Sequence, residues 1–241
     1  MQETNFDPKG KTIVAIFAHP DDADFTCSAS LAKFISEGAT GYYAILTNGS
    51  KGSNDPAVSK EWIVDTRRKE QESAAKVLGV KEVIFLDHED CELEVNVGTK
   101  GEVVKIIRQL KPDVVITFDP TRFYSTQENY INHTDHRAVG EIVCDAVFPL
   151  THSHLMYPDH LKEGLGQHKT AELWLSNFDE ANFFVDISDT ISLKLAALAC
   201  HASQLNDSKE TEEWVATRAQ KMGTKSKKYK LAEGFIRFQF N

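Results

Sequence analysis

Short apolar runs alternate with amphipathic stretches through the first half of the chain. Thr12–Ala18 (TIVAIFA) is continuous and rich in β-branched residues, which predicts a strand buried on both faces. A polar cluster leads into a helix over Thr26–Glu37, ended by Gly38. Tyr42–Leu46 reads as a second strand, followed by a turn at Asn48-Gly49. Lys60–Leu78 predicts a long helix with Ala74, Ala75 and Leu78 near one face and Gly79 as its stop. Glu82–Leu86 is a third strand, and Gly101–Leu110 a helix closed by Lys111-Pro112. Asp113–Phe118 (DVVITF) is a fourth buried strand, and His136–Val147 a helix that ends before Pro149. Strand and helix thus alternate in an α/β pattern. It predicts a Rossmann-like, doubly wound, mostly parallel sheet with helices on both faces and right-handed crossovers.

The last third is less regular. Glu172–Leu175 and Phe183–Asp186 predict short strands, and Thr190–His201 a helix with Leu193, Ala197 and Cys200 near one face. Residues 209–230 are strongly charged and predict a solvated helix, while the final GFIRFQF alternates like an edge strand. The expectation is a single domain over 1–241, with a Rossmann-like core over 12–150 and a smaller C-terminal strand and helix lobe over 151–241.

Composition narrows the function. A chain of 241 residues can bury one sizeable core. Its net charge of −9 argues against a nucleic-acid partner, because phosphate-backbone binders concentrate Lys and Arg. The cysteines Cys27, Cys91, Cys144 and Cys200 form no Cys-x-x-Cys pair and read as buried small residues in a reducing compartment. The polar start MQETNFDPKGK has no apolar signal region, and no apolar run is long enough for a membrane span. The reading is a cytoplasmic protein with no membrane partner.

The most informative segment is Ala18-His19-Pro20-Asp21-Asp22-Ala23-Asp24, directly after the first strand. In open α/β sheets, ligands bind at the carboxyl ends of the strands where strand order reverses. A nucleotide binder would place Gly-x-Gly-x-x-Gly here so that backbone N–H groups approach a pyrophosphate. This loop has acids instead, which repel phosphate and attract a cation. Helix capping would explain one aspartate, but not the histidine, the proline and the acids together. Imidazole and carboxylate suit zinc, although iron shares such ligands. His19 and Asp22 can converge on one ion across the turn, leaving Asp21 beside it as a carboxylate free to accept a proton. A second cluster, Asn132-His133-Thr134-Asp135-His136, opens the helix after strand four. If strands one and four are neighbours, one of its histidines completes a His-Asp-His set, the three-ligand pattern of catalytic zinc. The long connection Asp119–Asn132 between them suggests a functional loop.

These two motifs resemble the AHPDD and HxDH hallmarks of the LmbE-like, or PIG-L, deacetylase family. Arg67–Glu70 followed by Ala74–Val80 is similar to the family's R-x-x-E…AA-x-x-LGV helix, and Lys194…His201-Ala202-Ser203-Gln204 to its K…H-x-S-Q stretch. The resemblance spans nearly residues 12–205. It implies a hydrolase that removes an N-acetyl group from an N-acetylglucosamine-type sugar or conjugate, with one Zn2+ per chain. It also implies a ring-like homo-oligomer. Carried over to this sequence, His19, Asp22 and His136 bind the metal, and Asp21 is the general base for attack by metal-bound water. His133 stabilises the oxyanion or protonates the leaving amine, Asp135 orients a histidine, and Arg67 touches substrate. Many members continue the first motif as HPDDE. Here it runs HPDDADF, so Asp24 would take that acidic role.

Other residues carry weaker signals. His152, His154, His160 and His168 lie in a polar region and read as surface or substrate-lining residues rather than a second metal site. His201 reads as a core histidine or a site-lining one. Asp119, Arg122 and Tyr124 are candidates for sugar contact, whereas Trp62, Trp174 and Trp214 are too dispersed to suggest a sugar platform. Two rival classes remain: a Rossmann-type nucleotide or cofactor binder, and a non-catalytic metal-binding module. The acidic first loop argues against the former. Asp21 and His133, which a purely structural site does not need, argue against the latter.

Overall fold

The structure is a computed structural model and describes residues 6–126, 129–177, 179–205 and 207–240. The first half follows the alternating pattern: β1 (Thr12–Phe17), α1 (Asp22–Thr26), α2 (Ser28–Ser36), β2 (Thr40–Thr47), α3 (Lys60–Leu78), β3 (Glu82–His88), α4 (Val97–Leu110) and β4 (Val114–Phe118). Then come the two-residue strands β5 (Tyr124–Ser125) and β6 (Tyr130–Ile131), which pair with each other, and α5 (Thr134–Val147). The last third holds α6 (Pro158–Lys162), β7 (Glu172–Ser176), β8 (Phe183–Asp186), α7 (Ile191–Leu198), α8 (Ser208–Ser226) and β9 (Ala232–Gln239).

One seven-stranded sheet runs β3-β2-β1-β4-β7-β9-β8. Strands β3, β2, β1, β4 and β7 are parallel, and β9 is antiparallel to both β7 and β8. β1 therefore lies between β2 and β4, with Ile13 opposite Val114 and Ala15 opposite Ile116. This is the reversal point at which the two sequence motifs were expected to meet. The side chains of β1 alternate between two cores. Ile13, Ala15 and Phe17 pack with α2 and α3 on one face, and Val14 and Ile16 with Val103, Ile107, Val139 and Val143 of α4 and α5 on the other. That two-sided burial is why the strand reads as an unbroken apolar run.

Several boundaries differ from the sequence reading. The helix expected over Thr26–Glu37 is α2, which starts at Ser28, and a separate short helix α1 precedes it, divided from it at Cys27 (φ −137°, ψ 6°). The carboxylate of Glu233, far along the chain on β9, accepts from the Ala29 and Ser30 N–H groups at the start of α2. A cap supplied from another element leaves no local signature. The α4 helix starts at Val97 rather than Gly101, because Asn96 and Thr99 form a reciprocal capping box that offsets the two early glycines. The charged segment 209–230 is not simply solvated. Val215, Ala219 and Met222 of α8 are buried, and the helix packs on β8 and β9. The final strand is not a plain edge. Ala232–Phe235 of β9 pair with β8, and Phe235–Gln239 pair with β7.

Candidate metal and catalytic site

The site forms where β1 and β4 end. His19 follows β1, and its backbone N–H donates to Asp22 Oδ2 at 2.7 Å, which folds the loop back on itself. His133 caps α5: its Nδ1 accepts from the Asp135 N–H at 3.2 Å. One turn on, His136 stacks on Phe118 at the end of β4, with centroids 4.2 Å apart and planes at 21°. This close docking needs Gly140, where a Cβ would come within 2.7 Å of the Phe118 carbonyl oxygen.

Donor atoms of three residues converge. His19 Nδ1 is 3.2 Å from Asp22 Oδ2 and 3.3 Å from His136 Nε2, and His136 Nε2 is 3.1 Å from Asp22 Oδ1. A tetrahedral ion with bonds of about 2.0–2.1 Å requires donor spacings of about 3.3 Å, so these residues could hold a small divalent cation. Both imidazoles are held from behind. His19 Nε2 faces Asp135 Oδ2 and Asp90 Oδ1, each at 3.2 Å, and His136 Nδ1 faces Asn132 Oδ1 at 3.3 Å. Such partners fix ring orientation and raise ligand basicity. His133 lies edge-on to His19, with ring centroids 4.6 Å apart.

The electrostatics favour a cation. Burial alone would lower the His19 pKa, but Asp22, Asp135 and Asp90 overcome it and push it up to about 12. Burial works against the Asp22 charge too, yet His136 and His19 hold its carboxyl well below the usual range. His133 is lowered by burial and by the charge of His19 and His136. Asp21 goes the other way: burial outweighs the opposing Arg67 charge and raises it to about 6. Its backbone is also unusual, with φ 100° in a region that non-glycine residues rarely occupy. The Asp21 N–H donates to Gln71 Oε1 at 2.8 Å, and Arg67 Nη2 donates to Asp21 Oδ2 at 3.2 Å and to the Pro20 carbonyl at 2.7 Å. Arg67, expected to touch substrate, thus spends its guanidinium on the HPDD loop and on the Gly49 carbonyl. At the Gly49 turn (φ 63°) a Cβ would come within 2.6 Å of Arg67 Nη1, so a side chain there would push the guanidinium away.

Asp24 is fully buried and accepts from Tyr43 Oη at 3.0 Å and Gln71 Nε2 at 2.8 Å, with His201 Nε2 also at 2.8 Å. It supports the layer beneath the loop, and His201 belongs to that layer. Asp90 was not found by sequence reasoning. Its only local signal is a polar turn after β3, and nothing nearby in the chain marks His19 as its partner.

A cavity of about 710 Å3 opens beside Asp22 and His136. Phe25, Phe118, Asp119, Arg122 and Asn132 also line it, together with Glu210, Thr211, Trp214 and Arg218 of α8. Asp119 is held by Thr121 and Asn177, and Arg122 pairs with Asp179 at 3.1 Å. Tyr124 lies on β5, outside the cavity wall, and residues 127–128 of this loop lie outside the described residues. His152, His160 and His168 do not join the site. His160 lies by Arg108, His168 Nε2 donates to the Pro112 carbonyl, and His152 packs on Phe148. Among the described residues, no helix is long and apolar enough to cross a membrane.

Fold and site together define a doubly wound α/β protein with an acid- and histidine-rich centre at the switch point. Residues 14–147 match the family described as PIG-L, GlcNAc-PI de-N-acetylase. The chain belongs to this family of deacetylases, as the AHPDD and HxDH motifs implied. It is 32% identical over 194 residues to a diacetylchitobiose deacetylase of Thermococcus kodakarensis, covering 80% of this chain and 70% of that protein. It is 27% identical over 199 residues to a probable N-acetyl-α-D-glucosaminyl L-malate deacetylase 2 of Bacillus anthracis, covering 80% of each. Among solved structures, the N,N'-diacetylchitobiose deacetylase of Pyrococcus horikoshii, complexed with its inhibitor MPG, superposes with a TM-score of 0.87 at 29% identity. That match covers 95% of this chain and 84% of the other.

Proposed function

We propose that this protein is a zinc-dependent N-deacetylase that hydrolyses the acetamide of an N-acetylglucosamine-type sugar or conjugate, giving free amine and acetate. The observation that carries the reading is the convergence of His19 Nδ1, His136 Nε2 and the two carboxylate oxygens of Asp22, with spacings of 3.1–3.3 Å, beside a cavity that Asp22 and His136 line. Zinc held there would act as a Lewis acid toward the acetyl carbonyl and make water a better nucleophile near neutral pH.

The remaining work falls to the chain's own side chains. Asp21 accepts the proton of the attacking water as the new C–O bond forms. A carboxyl near pKa 6 is suited to this, being ionised at neutral pH yet basic enough to take a proton. Arg67 and Gln71 hold Asp21 in its strained backbone and aim its carboxylate. His133 is fixed as a donor: its Nδ1 accepts from the Asp135 N–H, so the neutral ring carries its proton on Nε2. That N–H stabilises the oxyanion on the former carbonyl, a contribution of about 3–4 kcal/mol for one such donor. The C–N bond then breaks as protonated Asp21 returns its proton to the amine nitrogen, which restores the carboxylate. Asp135 and Asp90 keep the His19 ring from rotating away from its ligand position.

The test is an acetate-release screen over N-acetylated monosaccharides, disaccharides and glucosamine conjugates, with zinc-loaded and chelated protein. Acetate from at least one of them, only when zinc is present, supports the reading. A zinc-loaded chain that releases acetate from none of them refutes it.

A further inference from the structure

A second group of donors lies beside the His19, Asp22 and His136 set, on the turn after β3. Asp90, Cys91 and His133 place a carboxylate oxygen, a thiol sulfur and an imidazole nitrogen within 4.8 Å of one another. Cys91 Sγ is 3.4 Å from Asp90 Oδ1 and 3.5 Å from His133 Nε2. A tetrahedral ion with a metal–sulfur bond of about 2.3 Å and other bonds of about 2.0–2.1 Å requires spacings of about 3.5 Å from the sulfur. The sequence places Cys91 among buried small residues, but the structure exposes it. Its backbone is pinned, because the Cys91 N–H donates to Asp135 Oδ2 at 2.7 Å. That backbone has φ 64°, a conformation that suits glycine, so the thiol is held here against a conformational preference. The Lys51 ammonium nearby is offset by Glu92, 2.8 Å away.

We infer that Asp90, Cys91 and His133 form a second zinc site, and that an ion bound there switches the enzyme off when metal is in excess. The inhibitory half rests on the deacetylase reading; the binding half does not. A thiolate beside an imidazole and a carboxylate selects zinc over magnesium or calcium. Binding forms a metal–sulfur bond, breaks the Cys91 S–H bond and releases that proton to solvent. The Nε2 lone pair of His133 becomes a ligand, so the ring proton moves to Nδ1. The N–H assigned to the oxyanion is then gone, and the bond from the Asp135 N–H to Nδ1 is lost with it. That lost bond, the displaced thiol proton and repulsion from a cation at His19 make this the weaker of the two sites. Zinc therefore fills the His19, Asp22 and His136 set first.

The experiment titrates metal-stripped wild type, Cys91→Ser and Cys91→Gly with cadmium. Equilibrium dialysis counts the bound ions, and the ultraviolet thiolate-to-cadmium charge-transfer band reports the sulfur ligand. Wild type should bind two ions, with the band growing in alongside the second. Both variants should bind one ion and show no band. A single ion without a band in wild type, or an equal band in the variants, overturns the site. Acetate release under added zinc then tests the inhibition. The wild-type rate should plateau at one ion per chain and fall about 10²-fold in excess zinc, as expected for the loss of one oxyanion donor. Each variant should keep in excess zinc the rate it has at one equivalent. A wild-type rate that stays on its plateau, or the same fall in the variants, overturns the inhibition. If no N-acetyl sugar is hydrolysed at any zinc level, the deacetylase reading fails, and the cadmium titration still decides the site.

Discussion

Adjacent identical side chains can carry opposite roles when their surroundings differ. Asp21 and Asp22 are neighbours in the chain, yet burial raises one carboxyl to about 6 while two imidazoles hold the other well below the usual range. Groups pushed apart in this way mark an acid–base assignment. If Asp21 is the base, Asp21→Asn should lower kcat by about 10²–10⁴-fold while leaving bound zinc at one ion per chain. The base works only when ionised, so wild-type kcat/KM should fall as pH drops through the Asp21 pKa. A bound dication lowers a nearby carboxyl further, which puts that acid limb at or below about 6. Rates of the wild type and Asp21→Asn between pH 4 and 8 check both points: the limb should be absent from the variant. The motif residues were legible because each motif is contiguous. Asp90 was not, because its meaning comes from His19, which reaches it only through the parallel pairing of β1, β2 and β3. Arg67 was legible as a motif residue, but its contact with Asp21 appears only in the fold.

At the level of elements, the alternating strands and helices of the first half could be read because two-sided burial and amphipathic periodicity both leave local patterns. What could not be read depends on distant partners. The break at Cys27 is stabilised by Glu233 of β9, which also accepts from Lys194 Nζ of α7 at 2.6 Å. Both side chains of this ion pair are only 5% exposed. Replacing Lys194 by Met would leave a buried carboxylate without its cation, a loss of about 3–5 kcal/mol. Urea denaturation should show a lower midpoint for Lys194→Met with an unchanged slope. An unchanged midpoint would mean that Glu233 is satisfied without the lysine. The docking of α5 gives a second expectation. Gly140→Ala places a methyl group against the Phe118 carbonyl oxygen, an overpacking that costs about 1–3 kcal/mol. Because His136 rides on the same helix, the variant should also bind zinc more weakly, measurable by competition with a chromogenic chelator. Charge hid the role of α8: its acidic and basic residues read as a solvated face, whereas one stripe packs on the sheet and the next lines the cavity.

In the whole molecule, the parallel sheet brings two loops that are far apart in sequence to one edge, and the C-terminal third supplies part of the cavity wall. The Rossmann-like arrangement and the switch point followed from strand order. The cavity did not, because β9, α7 and α8 assemble through long-range antiparallel pairing and packing that leave weak local signals. Both parts of the chain line the cavity: Asp22, Phe25, Phe118, Asp119, Arg122, Asn132 and His136 from the first 150 residues, and Ser176, Gln204 and residues of α8 from the remainder. The most direct measurement is acetate release from N,N'-diacetylchitobiose by metal-stripped protein as zinc is added back stepwise. Activity should be absent without metal, rise linearly and plateau at one ion per chain. It should not be restored in His136→Ala at the same zinc concentration. Full activity in the stripped protein, or in His136→Ala, would contradict the assignment of this site as the metal centre of a deacetylase.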